Sequence, residues 1–461
     1  MEEKIKGFAL FLPEISELLR KRNYGELKKS LKEIPPVDLA EGWGQLSLPD
    51  RNIIFHLLDK RRAIEVFEDL SFLDQKILIN SLESQELGEV LDEMSADERA
   101  DLFEELPERM VKKLFSVMKK EEVEDVKDLL TYEEDTAGGL MTTEFVELKK
   151  DMTARQAILK IQESFRGYRR ETIQNVYITN AEHRLIGGLS LQTLIASPPD
   201  ILVRDIMSPV QVIKINVNMD QEEVAKVFSK YDLLSAPVVD DQNRLLGIIT
   251  IDDIVDVIEK EATKDIYGMG KISGVERVAE IDYGKASAFT LVKNRVVWLF
   301  VLLLIGTFVS GRLLKGYTGM LQSVIALAIF IPMMMDSGGN AGAQSLAMVV
   351  RGLATGEVAL DHVWRIIRKE IFAGLMSGIS MGIISMLGVF VLQGFNLRLG
   401  FVVGFSLAIV VTVATVTGAF LPLLFKRLGF DPAVAASPFI TTTVDATCLI
   451  IYFEVAKRLI V

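Results

Sequence analysis

"PFITTTVDATCLIIYF" (residues 438–453) reads as a helix that crosses a membrane, yet it carries an aspartate near its middle. Thirteen uncharged residues run from Pro432 up to Asp445, and eight more follow it before Glu454. A charged aspartate at mid-bilayer costs about 2.5–3.5 kcal/mol on insertion scales, and more by simulation. No Lys or Arg lies near Asp445 in its own span, and the other spans are nearly free of bases. An internal ion pair is therefore not expected. Three choices remain: a protonated carboxyl, an interhelical hydrogen bond, or a cation supplied from water. Thr441, Thr442 and Thr443 add oxygen, and Thr441 lies one helical turn from Asp445 on the same face. That array suits a hard cation with oxygen ligands.

The rest of the C-terminal region agrees with a membrane setting. Hydropathy climbs from Val296, and five spans are expected at about 296–314, 320–349, 371–392, 400–424 and 434–456. Each is long enough for the roughly 20 residues a hydrocarbon core demands. With the N-terminus in the cytosol, nine Lys and Arg fall on the inner side against five outside, and the C-terminus ends outside. The second span contains "PMMMDSGGNAGAQS" (332–345). Gly338, Gly339 and Gly342 free its backbone, and Asn340 adds a polar group. An interrupted helix beside a watery cavity is expected there; close packing through small residues is the alternative.

Charge divides the chain. Of its 461 residues, those from Lys285 onward hold 14 Lys and Arg against 7 Asp and Glu, whereas the preceding ones hold 37 against 56. An anionic soluble front repels nucleic acid and attracts cations. The single cysteine, Cys448, permits no disulfide within one chain. The N-terminal "MEEKIKGFALFLPEISELL" has acids where a signal peptide needs bases, so the front is expected in the cytosol. An enzyme finds no support: the three histidines are scattered, and no nucleophile-elbow or P-loop spacing occurs.

Residues 1–130 carry helical periodicity throughout, and "AIEVFEDLS" (63–71) recurs as "LGEVLDEMS" (87–95), 24 residues on. A superhelical stack of short helices is expected. Residues 138–257 then form a duplication, with "EHRLIGGLSLQTLI" (182–195) matching "QNRLLGIITIDDIV" (242–255). Each copy reads as strand, helix, strand, strand, helix, opening on "LMTTEFVEL" and "IMSPVQVIK". This region resembles a tandem CBS-domain pair. The resemblance implies that Thr250 and Asp253 contact the phosphate and ribose of an adenine nucleotide such as ATP; an empty regulatory module is the alternative. Thr193 stands in the first copy where the second has Asp253.

The acidic run "DDIVDVIEKEATKDIYGMG" (252–270) leads toward the membrane. Like charges one turn apart repel, so positive charge is expected nearby. The order of parts, with "DSGGNAGAQSLAMVVRGLATGE" (336–357) and "DPAVAASPFITTTVD" (431–445), resembles the MgtE family of bacterial magnesium channels or transporters. The implied architecture is multidomain. It has an all-α superhelical N domain (1–130), an α/β tandem CBS pair (138–257), a plug or connecting helix (258–284) and an all-α membrane domain of five transmembrane helices (285–461).

The resemblance implies a homodimer in the cytoplasmic membrane that imports Mg²⁺. It makes Asp445 the pore carboxylate, with Thr441, Ser437, Asn340, Gly338 and Gly339 lining the pore. Asp431 would meet the plug helix at Asp265 through Mg²⁺. Asp97 and Asp101 would bridge to Asp253 and Asp256, with Asp220, Glu222, Asp232 and Glu261 as further ligands. One Asp445 from each of two subunits would match the ion's double charge, since Mg²⁺ keeps its waters and takes one or two carboxylates. Lys264 in the acidic run and Ser437 at the cytosolic mouth depart from the family pattern. A proton- or sodium-coupled divalent-cation exporter, and a membrane-bound nucleotide sensor, remain as other readings.

Overall fold

Polar caps set the helices of the N-terminal region. Ser47, Asp59 and Ser71 each precede a helix and accept, through their side chains, the amide three residues on. The helices they open are Leu48–Leu57, Lys60–Glu68 and Phe72–Ser81. The chain is seen in a computed structural model that describes residues 7–164, 174–209, 213–272, 287–392 and 394–460. It divides into two units, Met1–Val257 and Ile258–Val461.

In the first unit, short helices follow one another from Gly7 to Leu129. The repeat is visible in their packing. Val66, Phe67 and Leu70 occupy the same buried cluster as their counterparts 24 residues on, Val90, Leu91 and Met94. Glu68, at the end of the first copy, accepts the amide of Ser95, which opens the helix Ala96–Glu105. That helix is shared by two cores: Leu102 and Phe103 stay in the N-terminal cluster, while Ala96 and Ala100 enter a different one with Ile249, Ile254 and Val257.

The duplicated region forms two small sheets. The first copy contributes β1 (Glu147–Lys149), helix Ala154–Ser164, β2 (Asn175–Thr179), β3 (Leu185–Ser190) and helix Leu191–Ala196. The second opens with β4 (Ser208–Pro209), then gives β5 (Ile215–Asn216), helix Gln221–Tyr231, β6 (Ser235–Val239), β7 (Leu245–Thr250) and helix Ile251–Met269. The strand orders are β1-β2-β3-β4 and β5-β6-β7.

The two copies exchange their opening segments. β4 pairs with β3, placing Ser208 opposite Gly188, and Thr142 from the first opening bridges Ile248 in β7. Two glycines permit this close approach: a Cβ on Gly187 would stand 2.8 Å from the Ser208 carbonyl, and one on Gly247 2.6 Å from that of Thr142. Tyr177 and Leu185 from one copy and Val239, Leu245 and Ile248 from the other bury each other along the shared seam.

In the second unit, four helices among the described residues are long and apolar enough to cross a membrane: Ala288–Gly316, Leu360–Val391, Leu397–Arg427 and Pro432–Leu459. A fifth long helix, Ala326–Ala354, spans 29 residues but carries Asp336, Asn340 and several glycines. It runs unbroken through 332–345, Pro332 included, so the expected interruption of this span is corrected. Its small residues serve packing instead. A Cβ on Gly338 would collide with the Cys448 sulfur, and one on Gly342 would stand 3.3 Å from Ile440 and Val444. The last helix is held from both sides, with Ile440, Val444, Leu449 and Tyr452 in the central cluster and the Tyr452 hydroxyl donating to the Leu327 carbonyl at 3.0 Å.

Candidate functional site

The first unit gathers carboxylates where the helix Ala96–Glu105 meets the second CBS-like copy. Asp97 and Glu98 stand in the first turn of that helix, and Asp253 stands in the first turn of Ile251–Met269. The small side chains of Ala96 and Ala100 let the two elements approach, which brings acid to acid. Burial pushes the Glu98 carboxyl up to about 9, with the charges of Asp97, Asp101, Glu68 and Asp253 adding to it. Burial and the Asp97 charge push Asp253 up to about 7, against the hydrogen bonds it accepts from Thr250. Burial likewise raises Asp97, while the Ser95 and Thr142 hydroxyls act the other way.

One atom is left over. The Asp97 Oδ1 is buried and has no hydrogen-bond partner. A buried acceptor without a donor costs roughly 1–3 kcal/mol, more when charged. Close by, the buried Arg99 guanidinium contacts Glu122 at 2.6 Å and Glu144 at 3.8 Å and donates to the Leu91 carbonyl at 3.1 Å. Arg99 is thus engaged by other acids. Among the described residues, no three Asp, Glu, His or Cys side chains converge closely enough to form a ready metal cage.

Sequence reasoning expected Asp97, Asp101, Asp253 and Asp256 here. The structure brings Asp97 and Asp253 into mutual influence and places Asp101 within electrostatic reach of Glu98. Glu98 and Glu68 were missed. Glu98 sits beside Asp97 in "SADERADL", and that density of acid was the available signal. Thr250 and Asp253, expected to touch a nucleotide, bond to each other, the Thr250 hydroxyl donating to Oδ2 at 2.8 Å.

The other expected ligands of this unit have local roles. Asp220 caps the helix Gln221–Tyr231, accepting the Glu222 amide at 2.9 Å. The Glu222 carboxylate pairs with Lys226 at 2.9 Å, and Asp232 ends the same helix in a left-handed conformation.

In the second unit, Ser437, Thr441 and Asp445 follow at one-turn intervals along Pro432–Leu459. The end of the helix Ile251–Met269 lies against this face. Gly268 approaches the backbone of Val434, where a Cβ would stand 3.1 Å from its nitrogen. The Ser437 hydroxyl donates to the Met269 carbonyl at 2.8 Å. Lys271, two residues beyond the helix end, donates from Nζ to the Thr441 hydroxyl at 2.6 Å, and the Asp445 carboxylate lies within electrostatic reach.

The sequence reading looks for a base only within the spans, and Lys271 lies outside them. The spans lack one, but the connector supplies it. Lys271 was invisible in the local pattern because it lies 170 residues from Thr441 in the chain.

Asp431 caps the last helix, accepting the Ala433 amide at 2.7 Å. Glu261 pairs with Lys264 at 2.8 Å, so the departing lysine of the acidic run is neutralised within that run. Asp265 lies half-buried on the same helix. Asn340 is exposed on its helix and Gly339 faces open space, whereas Gly338 is buried in packing.

Comparison with known proteins identifies the parts of the chain. The divalent cation transporter family MgtE matches residues 331–455, the MgtE intracellular N domain matches 34–135, and the CBS domain matches 203–260. The magnesium transporter MgtE of Thermus thermophilus is 37% identical over 463 residues, covering 100% of this chain and 99% of that one. The magnesium transporter MgtE of Enterococcus faecalis is 41% identical over 339 residues, covering 73% and 72%. A crystal structure of the cytosolic domain of the Mg²⁺ channel MgtE in complex with ATP is 36% identical, covers 53% of this chain and 98% of that one, and superposes with a TM-score of 0.50.

Proposed function

Because the chain belongs to the MgtE family of magnesium transporters, we propose that it imports Mg²⁺ through a homodimeric pore lined by the Thr441–Asp445 face, under control of Mg²⁺ at the acidic junction. Mg²⁺ is the transported ion, and the chain is a transporter rather than an enzyme. The orientation that follows from the charge bias puts the N-terminus in the cytosol and the C-terminus outside.

The observation that carries the regulatory part is the junction of Asp97, Glu98 and Asp253, in which the buried Asp97 Oδ1 has no donor. Carboxylates brought together in this way need protons or a cation to stay together. The residues fit a hard divalent ion: the donors are all oxygen, and one of them is free to accept. Bound there, such an ion would supply the positive charge that the junction lacks. Asp97 and Asp253 would hold it, with retained waters completing its shell, since Mg²⁺ takes one or two carboxylates.

At low internal Mg²⁺ the acids repel and the junction loosens. At high Mg²⁺ it closes. This is a population shift toward the state that binds the ligand better. Asp253 opens the helix whose last residue, Met269, packs into the membrane-unit core, so the junction and the pore face share one element.

ATP is proposed as a second regulator at Thr250 and Asp253, on the strength of the ATP-bound cytosolic domain of the related channel. Occupancy would require the Thr250–Asp253 hydrogen bond to open or to be shared.

The test is uptake by cells carrying Asp97→Ala together with Asp253→Ala. They should accumulate excess Mg²⁺ when external Mg²⁺ is high, because closure is weakened. Shut-off equal to that of the parent would remove the junction from the gating scheme while leaving transport itself intact.

A further inference from the structure

Lys271 is an unusual residue to find where it is. It follows the helix Ile251–Met269 in a left-handed conformation, with φ of 59°, which side chains with a Cβ seldom adopt. Such strain persists only where the surroundings over-determine it, and it clusters at functional positions. Here the surroundings are named. The Lys271 amide donates to the Gly268 carbonyl at 3.0 Å and the Ile272 amide to that of Tyr267 at 3.1 Å, which closes the helix end. Met269 is clamped by Ser437, and Gly268 is pressed to Val434. These contacts aim the lysine stem along the Ser437–Thr441–Asp445 face.

The chemistry at its tip matches that face. An ammonium has three donors and no acceptor. It finds the Thr441 hydroxyl at 2.6 Å and the negative field of Asp445 beyond. A hard cation approaching the same oxygens would need the same place. Mg²⁺ sheds its waters reluctantly, whereas the ammonium already makes direct contact. A tethered group also competes at a high effective concentration, of millimolar order for a short flexible link.

We propose that Lys271 is a built-in stand-in for the transported cation, occupying the Thr441–Asp445 face and leaving it before Mg²⁺ can enter. This rests on the reading of that face as the ion path. It differs from closure by a helix acting as a steric stopper, because the competing element is a charge. Removing the charge should then ease Mg²⁺ binding, even with the helix still seated through Gly268 and Ser437.

The experiment uses the full-length protein in liposomes containing a Mg²⁺-sensitive dye, with external Mg²⁺ varied. Lys271→Met and Lys271→Gln should each lower the half-saturating Mg²⁺ by about tenfold, within the range of typical coupling between competing ligands. Lys271→Arg, which keeps the charge, should stay near the parent. The proposal is overturned if Met and Gln track the parent curve, if they abolish flux, or if Arg behaves like Met. Asp445→Asn separates the two ideas. Parent-like flux from it would sink the ion path and the lysine role together. A silent Asp445→Asn beside an unshifted Lys271→Met would sink the lysine role alone.

Discussion

The Thr250 hydroxyl donates to the Asp253 carboxylate across 2.8 Å, and the same carboxylate lies in the field of Asp97. One side chain thus faces both the loop expected to meet a nucleotide and the N-terminal helix bearing Asp97 and Glu98. Its protonation records which neighbour matters more. A carboxylate bonded only to a threonine would stay acidic, but burial and Asp97 win, and Asp253 titrates at about 7.

A pH dependence follows. Asp253 and Glu98 are raised to about 7 and about 9, against roughly 3.9 and 4.3 when solvated. The docked junction therefore binds more protons than the undocked one between those limits. Its stability is full below about pH 4 and falls as pH rises through 7 and then 9. Hydrogen exchange along Ala96–Glu105 in metal-free protein should quicken from pH 6 to 9 beyond the intrinsic rate, and added Mg²⁺ should suppress the change. Asp253→Asn should flatten the lower part of the profile. A flat profile in the parent would show that these acids do not face each other in solution.

Arg99 gives a second test. Its side chain is fully buried and links the N-terminal helix to Glu122 and Glu144. Arg99→Met keeps most of the volume but takes the 2.6 Å partner from the largely buried Glu122 carboxylate, at a cost of about 3–5 kcal/mol. The first thermal transition of the protein should drop by roughly 10 °C. Adding Glu122→Gln should restore part of the loss; no recovery would mean that Arg99 acts through packing alone.

Gly247 tests the exchange between the two copies. An added Cβ would sit 2.6 Å from the Thr142 carbonyl, and backbone cannot swing aside as a side-chain tip can. Gly247→Ala should cost about 1–3 kcal/mol. It should also speed exchange of the Thr142 amide, which donates to the Ile248 carbonyl at 2.8 Å. Gly25→Ala, with nothing within 4 Å of the added carbon, is the matched control and should be neutral or mildly stabilising.

Much of the protein is legible in its sequence, because it is written in short-range patterns. Apolar runs longer than a bilayer is thick, and an internal repeat that buries Val66 and Val90 alike, are local facts about neighbouring residues. The same is true of Asp445, whose oddity lies in its own helix. These patterns determined the domain order, the membrane character and the family.

What the sequence could not determine lies between distant residues. Nothing local says that the opening of each CBS-like copy joins the other copy's sheet, or that glycines in an apparently broken span serve packing along an unbroken helix. Nor does any local pattern show that Glu98 is buried or that Asp253 comes near enough to add to the charges of its own neighbours Asp97 and Asp101. Lys271 and Thr441 are the sharpest case, 170 residues apart and 2.6 Å in contact. Electrostatic and steric energies depend on distance in space, and only the folded chain turns separation along the backbone into that distance.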